Sequence, residues 1–99
     1  MGFKIHVHPK AYTDIQKAID YYNDQQKGLG EKFYNTIVKS FETLKVNPYY
    51  QIRYDNIRCY YTNPFPFLIH FNIDEEKRKV YVLAIIHTSL NPDNNWIKM

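Results

Sequence analysis

The run Phe65-Pro66-Phe67-Leu68-Ile69-His70-Phe71-Asn72-Ile73-Asp74, followed by Val80-Tyr81-Val82-Leu83-Ala84-Ile85-Ile86-His87, decides the fold. In the first piece Phe67, Ile69, Phe71 and Ile73 alternate with Leu68, His70 and Asn72, the period of a strand with two unlike faces. In the second, Val80 to Ile86 is almost continuously apolar, which predicts a strand in the interior of a sheet. Between them Asp74-Glu75-Glu76 meets Lys77-Arg78-Lys79, a charged turn whose opposite charges largely cancel.

Upstream, Ile57, Cys59 and Tyr61 alternate with Arg58 and Tyr60, and Thr62-Asn63-Pro64 is a turn cluster. The three strands are close enough in sequence to form an antiparallel meander. Tyr49 to Asp55 reads as an irregular approach to them. Further back the period changes. Phe33, Ile37, Phe41 and Leu44 lie on one stripe of a helix, and Asn47-Pro48 ends it. Ala11, Ile15, Ala18, Ile19 and Tyr22 make the stripe of an earlier helix, with Asp14, Lys17, Asp20 and Asp24 on its polar side. Gly28 and Gly30 stop that helix. The short link predicts a helical hairpin. At the start Phe3, Ile5 and Val7 alternate with Lys4, His6 and His8, a strand that ends at Pro9. It belongs on the free side of the last strand. The expected architecture is a two-layer α+β domain spanning residues 1–99, in the order β-α-α-β-β-β. The helical hairpin covers one face of a four-stranded, mainly antiparallel sheet.

The 99 residues allow one modest core, and with 44% hydrophobic and 23% charged residues the chain is globular rather than disordered. Ten tyrosines and six phenylalanines exceed what such a core can bury, so several rings must face solvent or a partner. A net charge of +3, with scattered cations, falls short of a dense nucleic-acid footprint. Cys59 is the single cysteine, which excludes an internal disulfide and suits a reducing compartment. No signal peptide and no run of membrane-spanning length is present, and a cytoplasmic protein is expected.

The chain resembles toxins of the RelE/ParE superfamily, the toxin half of bacterial toxin–antitoxin and plasmid-stabilisation pairs. The residues that carry the resemblance run over nearly the whole chain. They are Ala11-x-x-Asp14-Ile15-x-x-Ala18-x-x-Tyr21-Tyr22, Gly28-Leu29-Gly30-x-x-Phe33 and Asn47-Pro48. Ile57-Arg58, Phe65-Pro66-Phe67-x-Ile69-x-Phe71 and His87-x-Ser89-x-Asn91-Pro92 follow. Their set is closer to the ParE-like branch than to the RelE-like branch. The resemblance implies neutralisation by a small antitoxin and one of two targets. ParE-like toxins act on DNA gyrase by binding it. RelE-like toxins cleave messenger RNA on the ribosome without a metal ion. A non-toxic relative that binds only its antitoxin is a third reading.

Metal-free RNA cleavage needs a base, cations around the phosphate and an acid for the leaving oxygen. Arg58 and His87 match positions that could supply a clamp and an acid/base. Leu90 and Asn63 stand where relatives often place basic residues, and no tyrosine lies near the C-terminus. The ribonuclease set is therefore incomplete, and binding is favoured over catalysis. Arg58 reads equally as an arginine paired with a carboxylate or lying over a ring such as Tyr60. His87 reads as a histidine that orders the following tail. Tyr60, His70, Ser89, Asn91 and Trp96 are expected to contact the target or the antitoxin, with Trp96 anchoring the tail. His6 and His8 share a strand face but lack a carboxylate or thiolate beside them, so no metal site is expected, nor any other cofactor. Ser89 lacks an acid to complete a triad with His87. Cys59 reads as a small buried residue.

Overall fold

The computed structural model describes residues 2–90. Its elements are β1 (Lys4–Val7), α1 (Pro9–Gln25), α2 (Leu29–Val46), β2 (Ile52–Tyr54), β3 (Ile57–Tyr61), β4 (Phe67–Asp74) and β5 (Lys79–His87), followed by a 3-10 turn over Thr88–Leu90. The strands form one sheet in the order β1-β5-β4-β3-β2. β2 to β5 are an antiparallel meander, and β1 lies parallel to β5 on its free side, as the sequence predicts.

The strand count is five rather than four. Ile52–Tyr54 lies inside the segment expected to be irregular. It folds back on β3 through a two-residue turn at Asp55 and Asn56, in which Asp55 takes a positive φ of 48°. Aspartate tolerates that region better than most residues.

Local chemistry sets the helix ends. Pro9 closes β1 and opens α1, a position where its missing N–H is no loss. The His8 side chain caps α1, Nδ1 accepting from the Lys10 amide at 3.1 Å. Gly28, with φ of 87°, turns the chain into α2. Gly30 does not end the first helix as expected but sits in the first turn of the second. A β-carbon there would lie 2.6 Å from the Ile19 carbonyl oxygen, so the crossing is as close as the backbones allow.

Both helices pack on one sheet face. Ala11, Ile15 and Ala18 of α1 meet Phe33, Ile37 and Leu44 of α2 over Ile69, Phe71, Val80 and Val82. Near the helix–helix turn the core is aromatic: Phe33 has Tyr22, Phe65 and Phe67 at centroid distances of 5.5, 5.3 and 5.1 Å. Thr62 is buried before β4, its hydroxyl donating to the carbonyls of Phe65 and Phe67.

The continuous apolar run in β5 has a specific cause. His70 pairs with Ala84 but Phe71 pairs with Val82, so Leu83 is an extra residue in a β-bulge. A bulge shifts the in–out alternation by one. Val80 and Val82 face the helices before it, and Ile85 does so after it. Ala84 falls on the opposite face with His70, Cys59 and Ile57, a second buried group outside the main core.

Candidate functional site

Residues singled out in the sequence divide among three places. Arg58 pairs with Phe71 across β3 and β4, while His87 pairs with Phe67 across β4 and β5. Four residues of β4 at about 3.3 Å each and two strand spacings of about 4.8 Å put their backbones roughly 16 Å apart. The two stand on different strands, with β4 between them. Arg58 is engaged locally. Its guanidinium lies 5.5 Å from the Tyr49 ring centroid, and Nη1 donates to the Tyr50 carbonyl at 2.6 Å. Tyr50 in turn packs edge-on against Tyr60 at 5.0 Å. Tyr60 leans on the core rather than standing free. Of the two readings of Arg58, the one lying over aromatic neighbours matches the geometry.

His70 is corrected from a surface contact to an interior residue. It is 2% exposed, on the sheet face without helices. Tyr54 of β2 covers it, with its hydroxyl 3.0 Å from Nδ1, and the Cys59 sulfur lies 3.6 Å from the same atom. In the neutral Nε2–H tautomer the tyrosine donates and the ring accepts. Burial pushes the His70 pKa down to about 4. The Lys10 charge acts in the same direction, and the Asp14 charge opposes both. Burial also pushes the Cys59 thiol up to about 11, against the opposing charge of Arg53. A thiol held protonated at neutral pH is no nucleophile. Among the described residues no group of three or more histidine, cysteine or acidic side chains is placed to hold a metal ion.

The third place is a groove of about 480 Å³ between α1 and the end of β5. Ala18, Tyr21, Phe67, Ile85 and Ile86 line it together with the polar Lys10, Asp14, Lys17 and Ser89. His87 lines it beside Ser89, whose amide and hydroxyl lie 3.0 and 2.7 Å from His87 Nδ1. Those bonds tie His87 to the turn that follows β5. His87 also packs edge-on against Phe67 at 5.1 Å.

Asp14 is a groove residue that polarity alone misplaces. Rather than facing water with Lys17 and Asp20, its carboxylate accepts from the Ile85 amide at 3.0 Å and pairs with Lys10 at 3.0 Å. β1 ends at Val7 opposite Val82, and β5 runs five residues further. Asp14 thus stands where the next strand's carbonyl would be. Its only sequence signal is its place in the Ala11-x-x-Asp14-Ile15 pattern. Asn91 and Trp96 lie outside the described residues.

Comparison with known proteins agrees with this architecture. The chain belongs to the family of ParE toxins of the type II toxin–antitoxin system parDE, whose sequence model matches residues 5–92. Among solved structures it is similar to a chain titled as the chromosomal ParDE toxin–antitoxin system from P. aeruginosa. The TM-score is 0.74 at 18% identity, over 86% of this chain and 95% of that one, a likeness of fold. No curated protein matches the sequence. No helix among the described residues is long and apolar enough to cross a membrane.

Proposed function

We propose that this chain is the toxin of a bacterial type II pair, acts in the cytoplasm by binding DNA gyrase, and is held inactive by a cognate antitoxin. The observation that carries this reading is the ParE family match over residues 5–92. The geometry adds support. Arg58 and His87, the best candidates for a ribonuclease pair, lie on different strands on either side of β4, opposite Phe71 and Phe67, and Arg58 is engaged by Tyr49 and Tyr50. What remains is a surface rich in exposed rings, among them Tyr12, Tyr21, Tyr34 and Tyr61, suited to protein contact.

The test is expression of the chain alone, with growth scored alongside two assays on purified protein. Growth arrest with loss of gyrase supercoiling and intact ribosome-bound message is the expected result. Cleavage of message, abolished by Arg58→Ala, would replace it with the ribosome-dependent nuclease reading. Harmless expression with capture of the neighbouring small reading frame's product would leave a relative that only binds an antitoxin.

A further inference from the structure

β3, β4 and β5 carry an apolar surface on the side of the sheet away from the helices. Two neighbouring rows of paired residues run across it: Cys59, His70 and Ala84 make one, and Tyr61, Leu68 and Ile86 the other. Leu68 shares a face with His70 because strand side chains alternate. Neither row holds an acidic residue, a lysine or an arginine. An antiparallel sheet with one face in water carries polar residues on that face, and this one does not. His70 is 2% exposed, Cys59 and Ala84 are buried, and Leu68 and Ile86 are half-buried. Tyr54 reaches His70 from β2. Ala84 lies one strand further on, and no helix among the described residues covers this side.

Position identifies the occupant. The chain leaves β5 at the border of this surface. His87 follows Ile86, and the Thr88 amide donates to the Pro66 carbonyl at 2.9 Å, just before the start of β4. Residues 91–99 come next, and their large apolar members, Trp96, Ile97 and Met99, stand at the far end after Asn91-Pro92-Asp93-Asn94-Asn95. From Leu90 to Trp96 the chain can span roughly 20 Å. The row of Ala84 lies only about 7 Å beyond the row of Ile86. A segment tethered this closely reaches an effective concentration in the mM range, well above that of a free competitor of like chemistry. Ala84 is the smallest side chain of the two rows and leaves room above it for a ring.

We propose that residues 91–99 fold back as a strap over the helix-free face, with the Trp96 indole seated on Ala84 beside Leu68 and His70. The strap completes the second buried group of the molecule, and a partner that uses this face must first lift it. This inference is independent of the toxin reading.

The experiment is NMR of the full chain at two protein concentrations. Trp96 is the single tryptophan, so its indole signal is assigned without ambiguity. The methyl groups of Ala84 and Leu68 are followed, with the Ala18 methyl as a control in the groove under α1. Expected results are nuclear Overhauser contacts from the indole to the Ala84 and Leu68 methyls and an upfield ring-current shift of the Ala84 methyl. That shift is lost in Trp96→Ala, while the Ala18 methyl does not move. The wild-type contacts decide the question even if Trp96→Ala does not fold. An indole in contact with Ala18 instead would place the segment in the groove under α1. Contacts that vanish on dilution would assign the face to a second copy of the chain. An indole with the emission and acrylamide quenching of the urea-unfolded chain would leave the face to a partner protein. Each of these three results overturns the proposal.

Discussion

Acid should destabilise this fold through His70. Its pKa falls from 6.5 to about 4 on folding, chiefly because burial disfavours the charged ring. The unfolded chain then binds the proton more readily than the folded one. The stability contributed by a neutral His70 is fully present above about pH 6.5 and is lost as pH falls toward 4. At about 1.4 kcal/mol per pH unit, the whole interval amounts to about 3 kcal/mol. Tyr54 and Cys59 contact the ring, while the charges of Lys10 and Asp14 act on it from α1. Urea unfolding of the wild type and of His70→Gln, measured from pH 7.5 to pH 4.5, isolates the ring from the carboxylates that titrate in both proteins. The wild type should lose about 2–3 kcal/mol more than the variant over that range, or about 2 M in urea midpoint at an m-value near 1 kcal/mol/M. Parallel pH profiles for the two proteins would refute the assignment of a buried neutral histidine.

Three further perturbations test the packing. Phe33→Ala empties the aromatic cluster and should cost about 3–5 kcal/mol in chemical denaturation, the largest loss of the set. Gly30→Ala should lower the thermal midpoint although alanine is the better helix former by about 1 kcal/mol, because its β-carbon would press on the Ile19 carbonyl. Asp14→Ala strands the Ile85 amide and should cost about 1–3 kcal/mol, whereas Asp14→Asn keeps an acceptor and loses only an exposed ion pair worth less than about 1 kcal/mol. Equal losses for the two Asp14 variants would mean that the amide bond contributes nothing.

Elements with long periodic stripes were legible in the sequence: both helices, β1, β3 and β4, and the placing of β1 beside β5. Those that were not share a physical cause. β2 is three residues long, too short for any period to register, and its turn lacks the glycine that marks most tight hairpins. The bulge at Leu83 hides inside a run where every residue is apolar, so the change of phase leaves no trace in polarity. His70 has the parity of a solvent-facing residue in β4, and its cover comes from Tyr54 on the very strand that went unseen. Asp14 sits on the polar side of α1, yet that side meets β5 where β1 has already ended. Within the candidate site, His87 and Ser89 could be named because they close a strand. Lys17 and Tyr21 could not, because their place in the groove depends on which strand edge α1 happens to cross.

The single thiol gives this protein a built-in clock. Cys59 is 8% exposed, and burial holds its pKa at about 11. At pH 8 only about one molecule in a thousand carries the reactive thiolate. A sulfhydryl reagent would therefore ignore the closed sheet and modify the chain only when β2 and β3 part from β4. The rate of labelling would count those openings one by one, and a slowing on addition of any binding protein would reveal that the partner clamps this side of the molecule.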